Sequence, residues 1–166
     1  MNNKTNFFIK FVTSIYDIKV FSRYAKEGIL RSISYAVSLT LILAGIKSIF
    51  IEQKKIGFEL DSFIYLIVRN FEMIFINLLI NCLIVVLIAS IFTIFMKMVV
   101  KYIALYSVTL YAATLPLIIQ TILESIKPGI DFSTMFIAGT FTYVILILKY
   151  IKDKIISNLD SKSNNN

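Results

Sequence analysis

The sequence has no histidine, no tryptophan and a single cysteine, Cys82. An intrachain disulfide, a CxxC redox pair, a cysteine and histidine zinc site and a catalytic relay through histidine all require residues that this chain does not have. The P-loop, GxSxG, HExxH and GxGxxG motifs are absent from the sequence as well. The residues therefore predict no catalytic site, no cofactor and no metal site, and we expect a protein that is not an enzyme.

Charged residues are scarce, at 16% of the chain, whereas 58% of the residues are apolar and the mean hydropathy is +0.82. A soluble domain of 166 residues does not carry this much apolar material, so the composition favours a membrane protein. The net charge of +7 would also suit a protein that binds nucleic acid. The basic residues lie in short segments beside apolar runs, however, which favours membrane orientation as their role and predicts no nucleic-acid partner.

Four apolar stretches reach the length of about 20 residues that a helix needs to cross the hydrocarbon core of a bilayer. They lie at residues 29–50, 73–96, 102–123 and 130–148, and the second of them has no charged residue at all. The sequence thus predicts an all-α, polytopic membrane protein in which residues 29–148 form a bundle of four transmembrane helices.

The segments on either side of this bundle differ from it in character. Within residues 1–28, Phe8, Phe11, Val12, Ile15 and Ile18 share one face of a helix, and Lys10, Thr13, Ser14 and Asp17 lie elsewhere on it. Phe7, Ile9 and Phe21 interrupt the polar face. This pattern predicts an amphipathic helix lying in the membrane interface, either as an anchor for the first span or as a helix that senses lipid or docks a partner. We favour the anchor. Residues 149–166 form a polar tail that we expect to be disordered after Lys154.

The distribution of lysine and arginine predicts the orientation of the chain. If the N-terminus is inside, twelve of the 17 basic residues and four of the ten acids lie on the inner side of the four predicted spans. Because loops rich in lysine and arginine stay in the cytoplasm, we expect both termini to be cytoplasmic and the protein to lie in a bacterial cytoplasmic membrane.

A few polar or helix-breaking residues lie inside the predicted spans. Asn77 and Asn81 are four residues apart, so both should share one face and point toward protein, either as interhelical hydrogen-bonding groups or as ligand contacts. Pro116 has no N–H and frees the carbonyl near Ala112, which predicts a kink, with Gln120 one turn further on. We expect these four polar or kink positions to line the interior of the bundle, with packing favoured over ligand binding as their role.

Small residues predict where helices approach each other closely. Ser34 and Ser38 in the first span, and Ala138, Gly139, Thr140 and Thr142 in the fourth, are small enough to let two backbones come together. We therefore expect packing seams at these positions.

Two segments resemble a bacterial membrane-protein family known only as domain of unknown function eleven-eighty-nine. The first is FFIKFVTSIYDIKVFSRYAKEGILRSISYAV and the second is KYIALYSVTLYAATLPLIIQTIL. The matching positions are Ser14, Tyr16, Tyr35, Tyr111, Thr114, Leu115 and Pro116.

The resemblance implies a location in the cytoplasmic membrane of a Gram-positive bacterium, no known enzymatic chemistry and a distant relation to Yip-type multi-span proteins. Some members of that family carry labels that refer to maltodextrin use. Family members usually have a sizeable segment outside the membrane after the first span, whereas this chain has only the short loop at residues 51–72. A sensing or sugar-related role that depends on such a segment is therefore not implied.

These observations favour a non-enzymatic accessory or scaffold subunit whose partners are the lipid bilayer and either another membrane protein or further copies of the chain. The first alternative is a small permease or channel subunit that acts as an oligomer. The second is a membrane-embedded enzyme that acts on lipid through Asp131 and Glu124 with a recruited metal, which the lack of a carboxylate cluster inside the spans disfavours.

Overall fold

In the computed structural model the chain is an all-helical bundle. The structure describes residues 6–52, 60–127 and 129–163, without the side chains of residues 51, 52 and 159–163. Within that part of the chain the regular structure is helical, with no strand, which confirms the predicted all-α class. The loop predicted at residues 51–72 lies partly outside the described residues, and Lys54, Lys55 and Glu59 belong to that part.

The elements follow one another with short connections. In chain order they are α1 (Phe7–Tyr16), a 3₁₀ turn (Ile18–Val20), α2 (Phe21–Tyr24), α3 (Ile29–Glu52), α4 (Leu60–Phe95), α5 (Tyr102–Ala112), α6 (Thr114–Ile126) and α7 (Ser133–Ser163). The first three, at residues 7–24, are called the cap below.

Three helices, α3, α4 and α7, are long and apolar enough to cross a membrane. A fourth crossing is formed only if the pair of α5 and α6 counts as one broken span. The structure also moves the start of the second predicted span: α4 begins at Leu60 rather than at residue 73, and its 36 residues form one continuous helix.

The predicted kink is confirmed, since α5 and α6 meet at an angle of 46°. Pro116 cannot donate a backbone hydrogen bond, so the ladder is interrupted one turn before it. The Thr114 hydroxyl donates to the Tyr111 carbonyl at 2.7 Å, and the Leu117 N–H donates to the Ala113 carbonyl at 2.9 Å. These two bonds satisfy the Tyr111 and Ala113 carbonyls at the bend.

The centre of the bundle is α5, which is buried on every side from Ser107 to Ala112. Helices α3, α4 and α7 pack around it, and α4 contributes a buried face that includes Val85, Val86 and Ala89, none of which is exposed. A helix that is buried all round needs no amphipathic pattern. This explains why α5 reads as a uniformly apolar run.

The predicted amphipathic helix is present as α1, and its placement in the membrane interface stays a prediction. The polar side of α1 faces the bundle: Lys10 and Ser14 are buried, whereas Phe8 is 75% exposed and Val12 is 46% exposed. The polar groups face inward because their partners lie in the bundle, as described below. Of the apolar side of α1, Phe8 and Val12 lie on the outside of the molecule, whereas Phe11 packs against the core.

The tail also differs from the prediction. Helix α7 continues through Lys154 to Ser163, so the predicted disorder is wrong for residues 155–163. The continuous helical backbone from the last apolar turn extends into the polar residues, and the Lys154 ammonium lies 3.4 Å from the Ser22 hydroxyl of the cap. The last three residues lie outside the described part of the chain.

The buried face of α4 predicts a measurable packing effect. Ala89 is not exposed, so an Ala89→Leu substitution inserts three carbons into a filled contact and should lower the free energy of unfolding by about 1–3 kcal/mol. The matched control is Ala138→Leu on α7, because Ala138 is exposed and should tolerate the same change. Thermal unfolding in detergent, followed by size-exclusion chromatography, measures both. Equal destabilisation by the two variants would contradict this packing.

Candidate functional site

The residues predicted to line the bundle interior divide into two groups. Asn81 is 9% exposed and Gln120 is 6% exposed, in agreement with the prediction, and Pro116 is partly buried beside the bend. Asn77 is exposed on the outer side of α4, so its predicted interior position is wrong. A helix advances 100° per residue, so burial varies around it. Neighbouring helices cover less of the surface of α4 near Asn77 than near Asn81.

The predicted packing seams are only partly present. Ser34, Ser38 and Ala138 are exposed, so no close helix contact forms there. Thr140 is fully buried, and Gly139 lies beside the bend, where a Cβ on it would stand 3.6 Å from the Pro116 Cγ. The contact between α6 and α7 therefore places the proline ring against a glycine, whereas Ser34, Ser38, Ala138 and Thr142 face outward.

One polar group lies near the end of α3 that is remote from the cap. The Lys47 ammonium is 2.7 Å from Glu124 Oε2, and the Gln120 amide donates to Glu124 Oε1 at 2.8 Å. Both charged side chains keep some solvent exposure. Gln120 thus orients a carboxylate that ties α3 to α6, which is a structural use of the buried amide.

A second polar group lies at the other end of the bundle, between the cap, α3 and α5. We call Lys10, Glu27, Tyr24, Tyr35 and Tyr111 the tyrosine cluster. The Lys10 ammonium forms an ion pair with Glu27 and lies 3.0 Å from the Tyr111 hydroxyl, which itself donates to Glu27 Oε2 at 2.9 Å. Both charged side chains are only 9% exposed.

Aromatic contacts surround this ion pair. The rings of Tyr24 and Tyr35 lie 4.7 Å and 4.9 Å from the ring of Tyr111, and the Lys10 ammonium is 5.1 Å from the Tyr111 ring centroid. A cation within about 6 Å of an aromatic face is attracted by its quadrupole. The ammonium is therefore stabilised by a carboxylate, a phenol and aromatic faces together, which offsets the loss of its hydration.

The tyrosine hydroxyls connect the cluster to its surroundings. The Tyr24 hydroxyl lies 2.8 Å from the Thr13 hydroxyl, and the Tyr35 hydroxyl lies 2.9 Å from the Thr114 hydroxyl at the bend. Burial raises the pKa of Tyr24 above its usual value, and the hydrogen bond with Thr13 opposes that rise. Tyr24 is thus a neutral hydrogen-bonding group at physiological pH.

The hydrogen bonds of the cluster tie the cap, α3 and α5 together. Glu27 Oε2 accepts hydrogen bonds from both Lys10 and Tyr111, so the charge of the carboxylate is compensated. Asp131, which sequence analysis considered as a lipid-directed acid, is exposed at the start of α7, where hydrogen bonds from Ser133 lower its pKa. Within the described residues, no three histidine, cysteine, aspartate or glutamate side chains come together.

Sequence reasoning did not identify this cluster. Lys10 and Tyr111 are 101 residues apart, and no local spacing predicts that contact. One signal did point to it: Tyr35, Tyr111 and Thr114 are among the positions that carry the family resemblance, and the structure brings all three together. Another of those positions, Tyr16, is exposed and lies apart from them.

The comparison with protein families gives one match. The model of the family described as "Protein of unknown function (DUF1189)" matches residues 60–148, which is just over half of the chain and runs from the start of α4 into α7. The segment of the resemblance at residues 7–37 lies outside that match. No curated protein and no solved structure matches this chain.

The ion pair predicts a thermodynamic coupling between Lys10 and Glu27. Lys10→Met or Glu27→Gln alone leaves a charged partner buried, so each should lower the free energy of unfolding by about 3–5 kcal/mol, and the double variant by less than the sum of the two. Thermal or denaturant unfolding of the four proteins in detergent gives the free energies of this double-mutant cycle. Lys47→Met in the more exposed pair with Glu124 serves as the control and should cost less. Additive effects of Lys10→Met and Glu27→Gln would contradict the contact.

Proposed function

This chain belongs to the DUF1189 family, and we propose that it is a non-enzymatic accessory or scaffold subunit that spans a bacterial cytoplasmic membrane four times. The proposal counts α5 and α6 as one broken span and keeps both termini in the cytoplasm. The observation that carries it is the tyrosine cluster, whose ionised and phenolic groups attach the cap to the bend between α5 and α6.

Two features of the cluster support a structural role. The groups that chemistry would need, Glu27 and the Tyr111 hydroxyl, are bound to each other and to Lys10. The cap is held at a fixed place over one end of the bundle by contacts with α5, α6 and α7, including a hydrogen bond from the Tyr143 hydroxyl to the Ile15 carbonyl at 3.2 Å. A fixed cytoplasmic surface on a membrane bundle is what a partner subunit requires.

The distribution of charge supports the proposed orientation. The end of the bundle near the cap carries Lys19, Arg23 and Lys26. Lys97 and Lys101, between α4 and α5, and Lys149 of α7 lie at the same end. The opposite end of the described chain carries Asp61, Glu72, Glu124 and Asp131 together with Lys47, Arg69 and Lys127, so its charges nearly balance. An excess of lysine and arginine marks the cytoplasmic side.

A second candidate function is a small permease or channel subunit that acts as an oligomer. The bend of 46° between α5 and α6 favours it, because broken helices in transporters line cavities and binding sites. Asn81 is a buried amide on the neighbouring helix α4 and would be the residue to test in such a pathway.

The proposed topology predicts which sides of the membrane two lysines occupy. Lys26 and Lys127 are both exposed and lie at opposite ends of the bundle. In a Cys82→Ser background, a membrane-impermeant maleimide should label Lys127→Cys in intact cells and Lys26→Cys only after the membrane is opened. The two sites have matched exposure, so each serves as the control for the other. Labelling of Lys26→Cys in intact cells would contradict the orientation.

An accessory subunit should be recovered with a partner. We expect affinity purification of the tagged full chain from native membranes in mild detergent, with mass determination of the intact complex, to give a second protein in fixed stoichiometry. Glu27→Gln should weaken that recovery if the cap carries the contact, whereas Lys47→Met at the remote ion pair should not.

The opposing result is equally specific. A homo-oligomer without another protein, which conducts ions or solutes in liposomes and loses that flux on Asn81→Leu, would replace the scaffold with the permease. Turnover of a substrate by the purified chain would contradict both.

A further inference from the structure

A cavity of about 640 Å³ lies where α4 ends and α7 passes it. It is lined by the last residues of α4, by the connection to α5 and by the outer turns of α7: Phe95, Met96, Lys97, Met98, Val99, Lys152, Ile155 and Ile156. It lies away from the tyrosine cluster, at the level where α4 has just ended at Phe95 and α5 has not yet begun at Tyr102. In the proposed topology this level is the inner boundary between hydrocarbon and headgroups.

The position of Lys97 is fixed by a defined helix terminus. The Met98 N–H donates to the Thr93 carbonyl at 3.0 Å, and the Lys97 N–H donates to the Ile94 carbonyl at 2.9 Å. These two bonds form a Schellman motif, in which the penultimate position takes a left-handed conformation. Lys97 occupies that position with a φ of 54°, where glycine is the usual residue. The backbone would therefore accept a glycine here, and the lysine side chain is not required for the turn.

The lining combines two cations with an apolar surface. Lys97 and Lys152 are the charged residues that line the cavity, whereas Asp153, next to Lys152, does not line it. Phe95 is 79% exposed and Ile155 is 50% exposed, so the apolar part of the cavity opens to the outside of the bundle. Ammonium groups beside an open apolar surface are complementary to a phosphodiester with attached acyl chains.

We propose that this cavity is a binding site for the headgroup of an anionic phospholipid of the inner leaflet. Lys97 and Lys152 bind the phosphodiester, and the acyl chains lie along Phe95, Ile155 and Ile156. The site rests on the proposed membrane topology, because only then do these side chains meet a leaflet. The polar extension of α7 contributes Lys152 and Ile155 to the cavity, so its role in this proposal is to complete the lipid site.

The test uses the purified full chain in detergent, titrated with phosphatidylglycerol or with phosphatidylcholine of the same acyl chains and followed by native mass spectrometry. We expect one phosphatidylglycerol per chain to bind more tightly than phosphatidylcholine. Each lysine near an anionic headgroup contributes about 1 kcal/mol, so Lys97→Gly and Lys152→Gln together should weaken phosphatidylglycerol binding about 30-fold. Lys97→Gly suits the left-handed turn and should leave thermal stability intact.

Lys26→Gln is the matched control, since it removes one positive charge from the same end of the bundle outside the cavity and should leave the affinity unchanged. Equal binding of the two lipids, or equal loss with Lys26→Gln, would overturn the site. Binding of inorganic phosphate as tight as that of phosphatidylglycerol would overturn a lipid as its ligand. The measurement needs no partner protein, so a failed search for a partner leaves it standing. Labelling of Lys26→Cys in intact cells would remove the topology on which the site rests.

Discussion

The buried ion pair between Lys10 and Glu27 determines how the N-terminal part of this protein is placed. Two charges that lose water must meet each other with good geometry and further hydrogen bonds. Tyr111 supplies the third partner, because its hydroxyl contacts both charges from the most buried helix of the bundle. Lys10 therefore has to face inward, and the rest of α1 follows: Phe8 and Val12, on the opposite side of the helix, face outward.

Features of the fold that depend on local sequence could be predicted. Helices α3, α4 and α7 follow from the length of their apolar runs, and the bend follows from one residue, Pro116, that has no N–H to donate. Both are local properties of the chain. The start of α4 and the end of α7 were misjudged for the opposite reason, since polar residues such as Arg69 and Lys154 do not stop a helix that is already propagating.

The orientation of side chains could not be predicted in the same way. The four-residue spacing of Asn77 and Asn81 predicted the same environment for both. Asn77 is nevertheless exposed and Asn81 buried, because burial depends on where neighbouring helices cross α4. The tyrosine cluster joins residues from the cap, α3 and α5 over separations of up to 101 residues. Hydropathy measures the preference of a segment for the membrane and carries no information on such partners. The family resemblance alone pointed to Tyr35, Tyr111 and Thr114.

The bend and the cap depend on each other through shared residues. Thr114 donates to the Tyr111 carbonyl at the bend and contacts the Tyr35 hydroxyl in the cluster, while Tyr111, one turn earlier, contacts Glu27. A straight helix through Pro116 would turn these two side chains relative to each other and separate the contacts.

The ion pair itself need not supply most of the attachment energy. When the cap separates from the bundle both charges regain water, and that gain offsets much of their mutual attraction. Phe21 and Tyr24 are at most 1% exposed in the docked cap, and burying a large apolar side chain stabilises by about 1.5–3 kcal/mol. The aromatic residues therefore hold the cap on the bundle, and the ion pair selects the one placement in which Lys10 reaches both Glu27 and Tyr111.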